Sequence, residues 1–223
     1  MSRSDIKIIF FDAHGVLLEQ DGDPREAVAK QLQLPLEDIK AAHRRATISR
    51  TVLSWSGVDS WDKEVEYSRA AAKALLGELG LPQKPSDVEF IADQWLHRKH
   101  KLLDGVVETL DYLKAKYRLG MISNAAPSRR TRELAELDLL KYFDPIVISG
   151  EFGVRKPDPL IYVEALKLAE VDAEDAAFVD DVESFLDVAR QIGFKLPVLF
   201  DHYDESSGEF TAIKHFTELK KIL

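Results

Sequence analysis

Charged and hydroxyl side chains stand just after four apolar runs that are far apart along this chain. The runs span residues 6–11, 117–122, 145–149 and 176–179, and they lead to Asp12, to Ser123, to Lys156 and to the pair Asp180 and Asp181. Continuous apolar runs of this length are typical of strands that are buried on both faces of a parallel sheet. Because ligands of open α/β sheets bind at the carboxyl ends of the strands, we expect these side chains to share one site.

The residue types at these positions suit phosphoryl-transfer chemistry. A carboxylate such as that of Asp12 can attack phosphorus and divide one hard displacement into two easier steps. The Ser123 hydroxyl can donate to phosphoryl oxygens, and the Lys156 ammonium can offset the negative charge of the reacting groups. Asn124, the only asparagine of the chain, is a further candidate phosphate ligand. Taken singly, each residue could equally be a turn or surface residue, so the prediction depends on their combination.

The adjacent carboxylates of Asp180 and Asp181 predict a bound cation. Two such groups after a buried strand repel each other unless a cation or a basic group compensates their charge. Mg²⁺ prefers carboxylate and water oxygens, and it is therefore the predicted ion. The alternative is an acidic helix N-terminus that the helix dipole stabilises.

Composition narrows the class of protein and the class of partner. With 223 residues and 45% hydrophobic content, the chain can form one substantial core and a smaller accessory domain. A net charge of −9 without a basic stretch argues against nucleic acid and favours a small partner. The absence of cysteine excludes a disulfide framework and thiol catalysis. No apolar run has the length of a membrane span and the polar start lacks a signal peptide's apolar stretch, so we expect a cytoplasmic protein without membrane contact.

The elements between the apolar runs divide the chain into two parts. Apolar spacing predicts helices over 24–32, 36–48, 60–79 and 86–103, and later over 106–116, 128–140, 159–168 and 182–192, with a fifth strand over 195–200. Alternating strands and helices imply an α/β fold whose parallel sheet is covered on both faces. We therefore expect a core of residues 1–16 and 104–223, with a helical cap domain of residues 17–103 inserted after the first strand.

In their order and spacing, the four strand-end motifs closely resemble those of the haloacid dehalogenase-like (HAD) hydrolase superfamily. The resemblance covers nearly the whole chain. It implies a Rossmann-like core with strand order 5-4-1-2-3 and a helical type I cap. It also implies a magnesium-dependent phosphohydrolase that acts on a small phosphomonoester, a phosphorylated metabolite, through an aspartyl-phosphate intermediate.

The same resemblance assigns roles to individual residues. Asp12 corresponds to the nucleophile, and Ser123 and Lys156 hold the phosphoryl group. The implied magnesium ligands are Asp12, Asp181, Asp180 directly or through water, and the backbone carbonyl of His14. Phe185 departs from the pattern, because many relatives have a polar or acidic residue or glycine near that position, so no third acidic ligand is assigned.

His14 is the main departure from the family pattern, because related phosphatases have a second aspartate there that protonates the leaving group and then activates water. Residues two apart on an extended segment share a side, so His14 should face the same site as Asp12. Imidazole can perform both proton transfers. Three interpretations stay open: a working acid/base histidine, a slow or inactive site in a phosphate-binding or regulatory protein, and different chemistry. Haloacid dehalogenation is less favoured, because it needs no metal and the pair Asp180 and Asp181 argues for one.

The inserted segment is expected to select the substrate. His43, Arg44, Arg45 and Arg50 are candidates for contact with an anionic substrate, and Trp55 and Trp61 could provide a wall. The basic segment 97–100 is a candidate for the contact between cap and core. A signalling receiver domain also combines acidic residues, a hydroxyl and lysine, but its acidic pair comes early and it lacks a long insertion. The identity of the substrate and the oligomeric state stay open.

Overall fold

The computed structural model describes residues 6–49, 58, 60–202 and 206–223. Its strands are β1 (Ile8–Phe11), β2 (Leu18–Gln20), β3 (His100–Leu102), β4 (Arg118–Ser123), β5 (Ile146–Ile148), β6 (Ala176–Asp180), β7 (Leu196–Phe200) and β8 (Thr211–Ile213). Six of these form a parallel sheet in the order β5-β4-β1-β6-β7-β8, and β2 pairs with β3 in a separate antiparallel ribbon.

Ten α-helices accompany these strands in the described part of the chain. They are α1 (Pro24–Leu32), α2 (Leu36–Ser49), α3 (Trp61–Glu78), α4 (Pro85–Leu96), α5 (Val106–Lys114), α6 (Pro127–Glu136), α7 (Ser149–Phe152), α8 (Pro159–Ala169), α9 (Glu183–Ile192) and α10 (Leu219–Ile222). Short 3₁₀ turns occur at Leu140–Tyr142, Ala173–Asp175 and Phe216–Glu218.

The predicted α/β fold with a parallel sheet is confirmed, and the five predicted strands lie in the order 5-4-1-2-3. Two local predictions were wrong. The helix expected over 86–103 ends at Leu96, because the chain then enters β3, and the strands β2 and β3 lie in a region expected to be entirely helical. Each of these strands has only three residues, which is too short to show an alternating pattern. The edge strand β8 was not predicted either.

The sequence of β1 is apolar at every position because both faces of this strand are covered. Ile9 and Phe11 face one hydrophobic cluster together with side chains of α5, whereas Ile8 and Phe10 face a second cluster with side chains of α8. All four side chains are fully buried. Burying a side chain of this size contributes about 1.5–3 kcal/mol, so this strand is fixed between two helical layers and delivers Asp12 at a defined place.

Helices α1 to α4 enclose a third hydrophobic cluster that is separate from the two around the sheet. Its fully buried members include Ile39, Leu75 and Ile91. In the sequence, β2 precedes α1 and β3 follows α4, so the two strands of the ribbon flank the four helices. Leu18 of β2 belongs to one of the two clusters around the sheet. The division into core residues 1–16 and 104–223 and cap residues 17–103 stays a prediction.

None of the helices in the described part of the chain combines the length and the apolar character that crossing a bilayer requires.

Candidate active site

The site is assembled where three neighbouring strands end. Strand β1 pairs in parallel with β4 on one side and with β6 on the other. Asp12 follows β1 directly, and its N–H donates to the Val179 carbonyl at 2.9 Å. Ser123 is the last residue of β4 and Asp180 is the last residue of β6. The register of the parallel sheet therefore places three side chains, predicted from distant segments, side by side.

Lys156 joins the site by a buried ion pair with two carboxylates. Its Nζ lies 2.6 Å from Asp12 Oδ1 and 2.6 Å from Asp180 Oδ2, and the residue is only 1% exposed. Burial disfavours the charged lysine, but the charges of the two carboxylates outweigh it, and the pKa of Lys156 is raised. The rings of Phe178 and Phe185 lie 5.4 and 5.1 Å from the ammonium. Lys156 is therefore held as a cation with its charge directed at the Asp12 carboxylate.

Asn124 fixes the loop that carries this lysine. Its Nδ2 donates to the Lys156 carbonyl at 3.0 Å, and its Oδ1 accepts from the Lys156 N–H at 2.8 Å. Both polar ends of the side chain are thus engaged by the backbone of one residue. This arrangement favours a positioning role for Asn124, and phosphate binding by its side chain stays a prediction.

Ser123 has a charged partner that the sequence reasoning missed. The Nε of Arg130 donates to Ser123 Oγ at 3.1 Å, and Nη1 of the same arginine lies 2.6 Å from Glu133 Oε2. Arg130 and Glu133 are each 4% exposed. The spacing of both residues on α6 gave a signal, since charged side chains three apart share a helix face, but the sequence does not show that this face is buried.

Gly15 allows Asp181 to approach the loop that follows β1. A Cβ built on Gly15 would lie 2.1 Å from Asp181 Oδ2, and the backbone φ of +92° is one that other residues rarely adopt. Burial, and after it the charge of Asp12, raises the pKa of Asp181. The close approach of this carboxylate to the backbone beside His14 therefore requires glycine.

We expect Gly15→Ala to reduce turnover about 10²-fold, because the new Cβ displaces Asp181, and misplacing a site group by about 1 Å has an effect of this size. The matched control is Gly22→Ala, since Gly22 has φ +79° but no atom within 4 Å of its Cβ position. Both variants should lose about 1–2 kcal/mol of unfolding free energy from the left-handed backbone. Urea unfolding and phosphate release measure the two effects. Equal turnover in the two variants would contradict the packing role of Gly15.

The acidic side chains at the strand ends are carboxylates, the type of ligand that Mg²⁺ prefers. Asp12, Asp180 and Asp181 place three carboxylates around the single ammonium of Lys156, so negative charge is in excess. Burial, opposed by Lys156, raises the pKa of Asp180, as expected for a carboxylate with incomplete charge compensation. Asp180 Oδ2 pairs with the ammonium and Oδ1 accepts from the Val182 N–H at 2.9 Å. No ready-made group of three or more metal-binding side chains occurs among the residues that the structure describes.

His14 lies beside the site and against a second histidine. Its ring centroid is 5.7 Å from that of His100, with the planes almost perpendicular at 88°. His14 is exposed, yet partial loss of hydration and then the positive charges of Arg130 and Arg98 lower its pKa. The imidazole is therefore biased toward its neutral form. Whether it transfers protons stays a prediction.

Two of the arginines predicted to contact the substrate, Arg44 and Arg45, are exposed on α2. Arg45 binds the end of α3, with Nε 3.0 Å from Glu78 Oε2. A substrate contact by either arginine stays a prediction. The candidates Arg50 and Trp55 lie outside the described residues.

A buried charged contact joins α3 to α6. Glu64 on α3 accepts from the Ser128 hydroxyl at 2.8 Å and pairs with Arg129 at 3.5 Å. From the other side, His100 Nδ1 lies 3.5 Å from Glu133 Oε1. His100 of the basic segment 97–100 therefore contacts α6, and the role of this segment between cap and core stays a prediction.

Comparison with known families agrees with this geometry. A model described as haloacid dehalogenase-like hydrolase matches residues 6–193, which include every strand-end residue of the site. The chain belongs to this family.

Relatives and a solved structure extend the comparison. Glyceraldehyde 3-phosphate phosphatase of Pyrococcus abyssi is 36% identical over 54% of this chain and 53% of its own length, so the match spans about half of either protein. Phosphoglycolate phosphatase of Aquifex aeolicus is 27% identical over 85% of this chain and 83% of its own. The structure of the HAD-hydrolase YfnB from Bacillus subtilis, bound to magnesium, superimposes with a TM-score of 0.75 at 18% identity, covering 98% of both chains. This last likeness concerns the fold.

Proposed function

We propose that this protein, a phosphatase of the HAD family, is a magnesium-dependent phosphohydrolase that converts small phosphomonoesters through an aspartyl-phosphate on Asp12. The observation that carries the proposal is the ammonium of Lys156 held 2.6 Å from the Asp12 carboxylate at the end of the central strand. The activities of the phosphatase relatives, named for glyceraldehyde 3-phosphate and phosphoglycolate, support a small phosphorylated substrate.

The first step transfers the phosphoryl group to Asp12. Lys156 engages Oδ1, which leaves Oδ2 of Asp12 to form the new bond to phosphorus. The bond between phosphorus and the leaving-group oxygen breaks, and that oxygen takes a proton. Ser123 Oγ and Lys156 Nζ hold phosphoryl oxygens, where their positive potential offsets the growing negative charge.

The second step returns the enzyme to its starting state. Water attacks the phosphorus of the aspartyl-phosphate, the bond from phosphorus to Asp12 breaks, and inorganic phosphate leaves. His14 is the group proposed to give the proton to the leaving oxygen in the first step and to take one from water in the second. The imidazole that enters the first step protonated leaves it neutral, and the neutral ring is the form that can accept the proton from water in the second step.

Asp12, Asp181 and the backbone carbonyl of His14 are the groups proposed to hold Mg²⁺, with Asp180 acting as a positioning residue because both of its oxygens already have protein partners. When bound, the ion supplies charge neutralisation for the phosphoryl oxygens. The cap of residues 17–103 is proposed to close over the substrate and limit access of water.

His14 also supports a second candidate function, in which the protein binds a phosphorylated metabolite without efficient turnover. In this alternative the phosphate-binding residues and the magnesium site are retained, but the acid/base group of the related phosphatases is missing. Detectable binding together with no phosphate release would favour it.

The experiment that tests the proposed function is phosphate release from a panel of small phosphomonoesters, with Mg²⁺ and with EDTA. We expect turnover with Mg²⁺, loss of turnover in EDTA, and recovery when Mg²⁺ is added back, because the carboxylate cluster needs a compensating cation. Calorimetry with inorganic phosphate controls for binding. Phosphate release that is unaffected by EDTA would contradict the metal assignment, and binding without release from any ester would replace the hydrolase by the second candidate.

A further inference from the structure

Among the described residues, arginine side chains outnumber carboxylates in the buried contact that α6 makes with α3 and the segment 97–100. Arg98, Arg129 and Arg130 converge there, and the charged partners around them are Glu64 and Glu133. Both glutamates are already used, since Glu64 binds Ser128 and Arg129, and Glu133 binds Arg130 and lies near Arg129 and His100. A positive charge removed from water is costly unless an anion compensates it.

Arg98 is the arginine of this group whose side chain has no direct partner. It is half-buried between the end of α4 and the start of β3, and its guanidinium makes no hydrogen bond or ion pair with the described residues. Glu133 and Glu64 act on it only through space, and the nearby charges of Arg130 and Arg132 oppose them. The guanidinium presents a planar set of donors that matches a carboxylate.

A second polar group without a partner lies next to it. The side chain of His100 is only 4% exposed, and its Nε2 makes no hydrogen bond within the described structure. The same ring packs against His14, two residues beyond the proposed nucleophile. Unsatisfied buried polar atoms are uncommon in folded proteins and often mark a place where a ligand or water completes the structure.

Arg130 connects the charged side chains around Arg98 and His100 to the proposed phosphoryl-binding residue Ser123. That arginine contacts Ser123 Oγ at 3.1 Å, so the charged cluster begins at the phosphoryl-binding residue and continues through Arg98 and His100 to His14. A leaving group attached to the phosphoryl group would emerge beside His14, the proposed proton donor. The guanidinium of Arg98 belongs to the same cluster of charged side chains as His14.

We propose that Arg98 determines specificity by binding a second anionic group, a carboxylate, on the leaving group of the substrate, so that the preferred substrate is a phosphorylated small hydroxy acid. This inference rests on the proposed function for the phosphoryl half of the substrate. Of the two substrate types for which the relatives are named, it favours phosphoglycolate over the phosphorylated aldehyde.

The test compares 2-phosphoglycolate with 2-hydroxyethyl phosphate, which has a neutral hydroxymethyl group in place of the carboxylate. We expect the wild type to prefer 2-phosphoglycolate in kcat/KM, and Arg98→Met to reduce kcat/KM for it about 10- to 100-fold, mainly through KM. The same variant should change the neutral ester less than about 3-fold, and Arg98→Lys should retain part of the preference. The matched control is Arg132→Met, since Arg132 also links cap and core, through the Leu96 carbonyl and the Trp61 ring.

Binding to the Asp12→Asn variant separates this inference from the proposed function. Calorimetry on Asp12→Asn with and without Arg98→Met measures the affinity of both esters without turnover. Selective binding of 2-phosphoglycolate that Arg98→Met removes supports the inference even if the wild type hydrolyses nothing. Turnover of both esters with equal kcat/KM, or an equal loss for both in Arg98→Met and in Arg132→Met, would overturn it while leaving the hydrolase assignment intact.

Discussion

Replacing Asp12 by asparagine is expected to reduce phosphate release by about 10⁴-fold or more, because the amide cannot form the aspartyl-phosphate. The side chain keeps nearly the same shape and can still accept a hydrogen bond from Lys156, so the fold should survive. Phosphate release and urea unfolding measure the two properties on the same preparation.

Asp138→Asn is a suitable control for this variant. Asp138 is exposed and has φ of 55°, a conformation that asparagine tolerates, so its replacement should leave turnover unchanged. Acid quenching with a ³²P-labelled substrate adds a direct readout, because label should stay on the wild type and be absent from Asp12→Asn. Full activity in Asp12→Asn would eliminate the nucleophile assignment.

Replacing Lys156 by methionine is expected to affect both stability and activity. Without the ammonium, the carboxylates of Asp12 and Asp180 are left buried and uncompensated, and removing one partner of such an ion pair costs about 3–5 kcal/mol. Turnover should fall at least about 10²- to 10³-fold, the effect of losing one preorganised electrostatic contact to the reacting group. Chemical unfolding and phosphate release are the measurements.

A double variant separates the structural role of Lys156 from its chemical role. Adding Asp180→Asn removes one of the two unpaired carboxylates, so Lys156→Met with Asp180→Asn should be more stable than Lys156→Met alone and still inactive. The control Lys167→Met removes an exposed lysine whose distance of 3.5 Å from Glu164 has little energetic value, so it should change the unfolding free energy by less than about 0.5 kcal/mol. Equal stability of Lys156→Met and wild type would contradict the buried ion pair as a stabilising contact.

Local sequence patterns were sufficient for the elements whose signals lie within the element itself or directly beside it. The run before Asp12 forms β1, because strands covered on both faces need apolar residues at every position. Helix α1 begins at Pro24 after the N-cap Asp23 and ends at Leu32, as predicted. Signals of this kind lie within a few residues of the element that they define.

The same patterns failed where a segment depends on a distant partner. Strand β3 exists because it pairs with β2, about eighty residues earlier in the chain, and Leu102 then packs on the core. Nothing within the segment 97–102 distinguishes it from the continuation of α4. Arg130 and Glu133 likewise are residue types that usually lie on an exposed helix face, yet both are buried in the folded chain.

The sequence by itself determined the fold class, the strand ends and the residue types that the site contains, because each of these follows from patterns within a short stretch of chain. The tertiary structure alone decided how those residues act on one another. It placed the ammonium of Lys156 between Asp12 and Asp180, brought Asp181 against Gly15, and packed the ring of His14 against that of His100. These contacts join residues far apart in the chain, and their energies depend on burial and distance, which only the folded chain defines.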